Sequence, residues 1–158
     1  AIKAALMDRH IAPFAGYTTV RPEVKYGENS RIDFLLTETG LPDAYVEVKS
    51  ATLSRTDGLV EFPDSVTKRG TKHLGELAQM ARDGHRAVLL YLVQRTDCGT
   101  FCVAADIDPA YAAAFADARA AGLETHVIGT HISPQGVSVA GTIPLIDPPA
   151  LVLGNQAG

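Results

Sequence analysis

Asp33, Glu47 and Lys49 are the residues whose types and spacing suggest chemistry. Both acids lie on predicted strands that fold back about Gly40, and symmetric pairing about this turn sets Asp33 opposite Glu47. Two facing carboxylates, with Cβ atoms about 5 Å apart, repel each other unless a positive charge lies between them. A hard divalent cation, Mg²⁺ or Mn²⁺, suits such oxygen ligands. Lys49 could then hold or deprotonate an attacking water, so this set suits phosphodiester hydrolysis.

The remaining ligands of such a cation would come from neighbouring groups. The backbone carbonyl at Val48, together with waters, would complete the shell. Glu23 would join it if Tyr26 pairs with Ser30 across a three-residue loop, because Glu23 then lies opposite Asp33 on the same face. A four-residue loop would turn Glu23 away.

Side-chain alternation divides the predicted hairpin into an apolar face and a charged face. The apolar face is predicted to hold Ile32, Phe34, Leu36, Val46 and Val48. The charged face is predicted to hold Arg31, Asp33, Glu47 and Lys49. This pattern is also typical of a half-exposed sheet, whose cross-strand ion pairs contribute less than about 1 kcal/mol each. Spacing alone therefore leaves an ionic ladder and a cation site as alternatives.

A basic cluster follows the hairpin at the start of a predicted helix. It consists of Lys68, Arg69, Lys72 and His73. The helix itself is indicated by an apolar stripe at i, i+3, i+4 and i+7 that begins at Leu74, and Asp83-Gly84 is its stop signal. Such a cluster is usually a solvated helix face.

The rest of the sequence predicts the elements that position these residues. Three strands with short turns, starting at residue 21, form an antiparallel meander. The run 87–93 is apolar throughout, which is typical of a central strand covered on both faces. A second helix begins at Asp108-Pro109, and strands are predicted at 124–128 and 137–146. The sum is an α/β fold, a three-layer sandwich with a mixed sheet and helices on its faces.

Composition limits the partners and the setting. The 158 residues include 14 basic and 18 acidic side chains, so any attraction for nucleic acid must be local. No stretch approaches the roughly 20 apolar residues that span a bilayer, and no signal peptide opens the chain. Cys98 and Cys102 are expected to be buried, unpaired thiols. These features predict a cytoplasmic protein without a membrane partner.

Five sequence strings occur together in a fixed order. They are EVKYG (23–27), SRIDF (30–34), YVEVKSATL (45–53), FPDSVTKRGTKHL (62–74) and RAV (86–88). In these strings the chain, from about Arg21 to Pro148, resembles the bacterial sugar fermentation stimulation protein A (SfsA) family. The resemblance implies a C-terminal domain of the restriction-endonuclease-like, PD-(D/E)xK nuclease fold. It makes Asp33 the first acid and Glu47-Val48-Lys49 the Glu-x-Lys motif.

The sequence departs from the superfamily pattern at its first acid. Asp33 stands in Ile-Asp-Phe, without the proline that names the superfamily. Pro42-Asp43 falls in the hairpin turn, and Pro63-Asp64 precedes the helix, so both are interpreted as structural. The resemblance also implies an N-terminal domain similar to an oligonucleotide-binding barrel, which we expect to be absent from these 158 residues. We therefore expect one nuclease-like domain over 1–150, opening with a short helix at 1–11, and a tail over 151–158.

The resemblance gives the basic cluster a second meaning. Lys68, Arg69 and His73, with Arg31 and Ser50, would contact the phosphates that flank a scissile bond. Double-stranded DNA is the expected partner, and a homodimer is the expected assembly. The resemblance also implies a link to control of sugar metabolism, including maltose metabolism.

Three hypotheses of function follow. The first is a Mg²⁺- or Mn²⁺-dependent endonuclease-type phosphodiesterase acting on DNA. The second is a DNA-binding transcriptional regulator that keeps the nuclease fold without turnover. The third treats the charged face as structural and the domain as a protein-interaction module.

Overall fold

A computed structural model describes residues 11–147 of the chain. The predicted helix at 1–11, Ile11 aside, and the predicted tail at 151–158 lie outside the described residues. A 3-10 turn at Ala12–Phe14 precedes nine strands and two α-helices. In chain order these are β1 Thr19–Tyr26, β2 Ser30–Thr37, β3 Ala44–Ala51, β4 Leu53–Thr56, β5 Leu59–Phe62, α1 Lys68–Arg82, β6 Arg86–Val93, β7 Thr100–Val103, α2 Pro109–Ala120, β8 Glu124–Ser133 and β9 Gly136–Thr142. Neither α-helix in this part of the chain has the length and apolarity needed to cross a bilayer.

The main sheet has six strands in the order β1-β2-β3-β6-β8-β9. Its first three strands form an antiparallel meander, whereas β3, β6 and β8 run parallel. The mixed sheet and its N-terminal meander were both predicted and are confirmed. Strand β6 is paired on both sides, which explains why its sequence is almost wholly apolar.

The two faces of this sheet bury different groups. From β6, Leu89 and Tyr91 face a core that also holds Leu77 of α1 and Phe115 of α2. Val88 and Leu90 face the opposite core, which is closed by Ile11, Phe14 and Tyr17. Both α-helices therefore lie on one face. This corrects the prediction of helices on both faces, because among residues 11–147 a 3-10 turn covers the second face.

A second, three-stranded sheet in the order β4-β5-β7 was not predicted. The third strand of the predicted meander, expected over 44–53, ends at Ala51, and β4 begins at Leu53 and pairs with β5. Both cysteines are free, as predicted. Cys102 in β7 is buried, whereas Cys98 is only partly buried, which corrects the expectation that both thiols are enclosed.

One buried carboxylate fixes the starts of both α-helices. The α1 cap is Thr67, whose Oγ1 accepts a hydrogen bond from the Gly70 amide at 3.0 Å. Asp108 caps α2 through Oδ1, which accepts from the Tyr111 amide at 3.0 Å. Its Oδ2 accepts from the Thr67 amide at 2.8 Å. The predicted Asp108-Pro109 helix start is thus confirmed, and the same side chain also anchors α1.

Candidate active site

The β2–β3 hairpin has the predicted register. Phe34 pairs with Val46, and Leu36 pairs with Ala44, so residue numbers across the hairpin sum as expected. Backbone pairing ends at Phe34. Beyond it, the Asp33 Oδ2 accepts a hydrogen bond from the Val48 amide at 2.7 Å, so a side chain takes the place of a strand carbonyl.

Where the Asp33 side chain replaces a strand carbonyl, the alternation of side chains between the two faces of β2 is interrupted. Phe34, Leu36, Val46 and Val48 share one core, as predicted. Ile32 was predicted to join them, and that is wrong: it lies in the opposite core with Leu35, Leu74 and Leu77. The alternation fails between Ile32 and Leu35, where the Asp33 carboxylate takes up the Val48 amide and the ladder to β3 stops.

Glu23 lies at the register position opposite Asp33. Tyr26 pairs with Ser30, so the loop has the three residues that this placement requires. Glu23 itself sits between two paired positions of β1 and has a left-handed φ of 56°. Its side chain is exposed and lines the same cleft as Asp33.

Glu47 is buried, with an exposed side-chain fraction of 5%. Its Oε1 lies 3.3 Å from Lys49 Nζ and 3.4 Å from His73 Nδ1. Its Oε2 is buried and has no hydrogen-bond partner among the described residues. Burial, reinforced by the charge of Asp33, raises the pKa of Glu47 to about 7.

His73 connects helix α1 to this carboxylate through Lys49. The Lys49 Nζ lies 3.3 Å from His73 Nδ1. Burial, and then the charges of Lys49 and Arg69, lower the pKa of His73. An ammonium can only donate, so in this contact the neutral imidazole would accept a hydrogen bond from Lys49 at Nδ1, and the ammonium lies between His73 and Glu47.

A cleft of about 460 Å³ opens above the two acids. Six residues predicted for the site line it: Glu23, Arg31, Asp33, Glu47, Arg69 and His73. Ser50 and Lys68, which were also predicted to contact nucleic acid, are exposed and are not among its lining residues. The cleft therefore combines an acidic floor with a partly cationic rim.

The cleft also contains three residues that were not predicted to belong to it. Asn29, Ser30 and Lys72 line its wall. Lys72 follows Arg69 by three positions, and this helical spacing was the available signal. Ser30 lies at the end of the β1–β2 turn, whose path is set by tertiary contacts that sequence spacing does not reveal.

Glu76 stands behind this wall and was left out of the predicted site. Its Oε1 accepts a hydrogen bond from Ser30 Oγ at 2.8 Å and lies 3.6 Å from Lys72 Nζ. A Cβ at residue 27 would lie 2.9 Å from the Glu76 Oε2, so only glycine fits there without a shift. Glu76 thus fastens the β1–β2 turn to α1.

The donor set fits a hard divalent cation. Three carboxylates, those of Glu23, Asp33 and Glu47, line the cleft, and the Glu47 Oε2 is buried without a hydrogen-bond partner among the described residues. Residues 11–147 contain no group of three His, Cys, Asp or Glu side chains placed to hold a metal. Backbone oxygen and water would therefore complete the shell, which is the mode of binding that Mg²⁺ prefers.

Comparison with known proteins places this chain. Residues 1–136 match the family model described as the sugar fermentation stimulation protein RE domain. The chain belongs to the SfsA family. A sugar fermentation stimulation protein homolog from Roseobacter denitrificans is 68% identical over 144 residues, which cover 91% of this chain and 61% of that protein. The homolog from Ruegeria pomeroyi is 69% identical over 140 residues, covering 89% and 61%.

A solved SfsA structure has the same overall architecture. Pyrococcus furiosus SfsA, described as a complex with Ca²⁺, superposes with a TM-score of 0.83 at 27% sequence identity. The match covers 92% of this chain and 62% of that one. The chain thus spans about three-fifths of the length of the SfsA proteins it matches.

Proposed function

We propose that this chain is a divalent-cation-dependent nuclease domain of the restriction-endonuclease-like fold, acting on DNA. One observation carries the proposal: the buried Glu47 carboxylate keeps an unpaired oxygen beside Asp33, at the floor of a cleft rimmed by cations. Burying a carboxylate with an unsatisfied oxygen is costly, and a cation there would relieve the cost. The Ca²⁺ complex of P. furiosus SfsA supports a hard cation in this family.

Asp33, Glu47 and the Val48 carbonyl would hold the cation, with Glu23 at the rim. The Val48 amide already fixes the Asp33 side chain through Oδ2, so the carboxylate is oriented before any ligand arrives. When bound, Mg²⁺ or Mn²⁺ would lower the pKa of a water and offset charge on the phosphate.

Lys49 is the proposed catalytic cation of the chain itself. Its ammonium has three N–H donors, of which two are directed at Glu47 and His73. The third can orient a water or a phosphate oxygen. His73, held neutral by burial, fixes the ammonium rather than competing with it as a second charge.

The rim cations would position the DNA backbone. Arg31, Arg69 and Lys72 line the cleft, so phosphates can approach despite the net charge of −4. Ser50 and Lys68 are exposed beyond it and would contact DNA only outside the cleft.

Plasmid nicking tests this function. Wild-type chain should nick supercoiled plasmid in Mn²⁺ and lose this activity in EDTA. Lys49→Ala should reduce the rate by at least about 100-fold, a typical contribution of a positioned proton-transfer or charge-stabilising group. Arg82→Ala, on the exposed last turn of α1, is the matched control and should retain activity. Nicking that persists equally in Lys49→Ala would refute the assignment.

A DNA-binding regulator without turnover is the second candidate. Lys49 and His73 both contact Glu47 Oε1, and this arrangement favours a self-contained ion pair. In that case wild-type chain should bind DNA, show no nicking in Mn²⁺, and keep its affinity when Glu47 is replaced by Gln. Regulation of sugar metabolism would then proceed through occupancy of DNA.

A further inference from the structure

A second pocket adjoins the cleft at the β1–β2 turn. It has a volume of about 360 Å³ and is lined by Lys25, Tyr26, Gly27, Asn29, Ser30 and Arg31. Asn29, Ser30 and Arg31 also line the cleft that holds Asp33 and Glu47. One wall therefore separates the two spaces, and a chain of repeating anionic units could occupy both.

The charges of this pocket are those of an anion site. Lys25 and Arg31 are direct cross-strand partners in the β1–β2 ladder, so their side chains project from the same face. Like charges placed opposite one another destabilise a hairpin unless an anion lies between them. Neither side chain forms an ion pair with a carboxylate in the described part of the chain, and both are exposed. No acid lines the pocket, whereas Asn29 and Ser30 supply neutral polar groups.

The turn is held in place before any ligand binds. Ser30 Oγ donates to Glu76, and Lys72 Nζ donates to the Glu28 carbonyl at 3.3 Å. Gly27 packs against Glu76 without room for a side chain. These three links join the turn to α1, so the two spaces keep a fixed relation, and binding would require little ordering of the protein.

We propose that this pocket is a second phosphate subsite, which binds the DNA backbone phosphate adjacent to the one in the cleft. The proposal rests on the proposed function, because it assigns Lys25 and Arg31 to the same DNA substrate. Lys25 was not predicted to contact nucleic acid. The ligand is a phosphodiester, which one lysine, one arginine and neutral donors can hold together.

Fluorescence anisotropy with a labelled short DNA duplex tests the subsite. The 158-residue chain is titrated in EDTA, which prevents cleavage, between about 50 and 200 mM salt. Lys25→Gln and Arg31→Gln should each weaken binding about 5-fold or more, and the double variant about 10-fold or more. The slope of log K against log salt should become shallower by about 1 in the double variant, since one phosphate contact is lost. Arg82→Gln should match wild type.

Thermal melting of the same variants separates binding from folding. Removing the Lys25–Arg31 repulsion should leave Tm equal to or above that of wild type, so a loss of affinity would not reflect unfolding. If wild type binds DNA and the double variant behaves as Arg82→Gln does, the subsite and the proposed rim role of Arg31 are refuted, while the nuclease assignment to Asp33, Glu47 and Lys49 stands. If wild type fails to bind at the lowest salt, both proposals are refuted.

Discussion

Two buried glutamates of this protein differ in the hydrogen-bond partners of their carboxylate oxygens. Glu61 in β5 and Glu47 in β3 have exposed side-chain fractions of 7% and 5%. Both Glu61 oxygens accept hydrogen bonds from Arg55, at 2.8 Å from Nε and 2.7 Å from Nη2. Glu47 has one oxygen in contact with Lys49 and His73 and the other without a partner. The two side chains are therefore about equally buried. They differ in whether both carboxylate oxygens have hydrogen-bond partners.

The difference teaches which buried acid serves the fold and which serves a site. Arg55 donates to both oxygens of Glu61 and also to Asp106. This network of charge-assisted hydrogen bonds stabilises the three-stranded sheet. Glu47 lies beside a second acid with one oxygen unpartnered among the described residues, and the proposed cation would offset this buried charge. The comparison can be tested by replacing each glutamate with glutamine.

Glu61→Gln should produce the largest change. The substitution replaces the Glu61 carboxylate by an amide, so Arg55 loses its buried charge partner. The free energy of unfolding should therefore fall by about 2 to 4 kcal/mol. This range is reduced for the 40% exposure of Arg55. Urea denaturation measures the change. Asp97→Asn, in the exposed pair with Arg95, is the control and should change stability little.

Glu47→Gln should act in the opposite direction. The pKa of Glu47 is about 7 against an ordinary value of 4.5, so the folded chain binds more protons than the unfolded chain between these values. Wild-type stability should therefore fall as pH rises through this window, and the variant should lack that slope. At about pH 8 the variant should be more stable by about 1 to 3 kcal/mol.

Urea denaturation in EDTA from about pH 5 to about pH 8 measures this effect. Glu28→Gln, in the exposed β1–β2 turn, is the control and should keep the wild-type slope. Parallel curves for wild type and Glu47→Gln would contradict the assigned charge burial.

Glu76 should behave between these extremes. One of its oxygens is bonded to Ser30 and the other has no partner among the described residues. Ser30→Ala removes the bonded partner, so the free energy of unfolding should fall by about 1 to 2 kcal/mol. Chemical denaturation beside Ser65→Ala, an exposed serine, measures this difference. No loss in Ser30→Ala would mean that water replaces the hydroxyl at no cost.

Added cation should produce the smallest effect and the most specific one. At about pH 8, millimolar Mg²⁺ or Mn²⁺ should stabilise wild type by about 1 kcal/mol, seen as a rise of a few degrees in Tm. Asp33→Asn and Glu47→Gln should lose this rise. Glu61→Gln should keep it, although its own Tm is lower. A rise of equal size in all three variants would indicate nonspecific ion binding.

Local signals were sufficient to predict much of the fold and the proximity of several residues of the candidate site. Alternation and the Gly40 turn predicted the register that brings Asp33 near Glu47, and Phe34 does pair with Val46. The Asp108-Pro109 pair predicted the start of α2. These features depend on residues close in the chain, so their physics is visible in a short window of sequence.

Other features depend on distant contacts and were missed. The face of Ile32 could not be predicted, because the alternation fails where the Val48 amide donates a hydrogen bond to the Asp33 carboxylate. Strands β5 and β7 have four residues each, which is too short to show a side-chain alternation. They pair in parallel although α1 and β6 lie between them in the sequence. The Lys25–Arg31 pairing depends on the three-residue loop, and the sequence left this loop and a four-residue loop as alternatives.

The Asp108 carboxylate, which caps α2 and anchors Thr67, makes two helices depend on one ionisable group. Hydrogen bonds from the Thr67 and Tyr111 amides lower the pKa of Asp108, so its stabilisation is present at neutral pH and is lost as acid protonates the folded state. Acid should therefore release both helix starts in a single step. Helix α1, which carries Arg69, Lys72 and His73, would then lose its N-terminal anchor at the same pH as α2. The proposed binding of a polyanion and the packing of the two helices would therefore be lost at the same acidity.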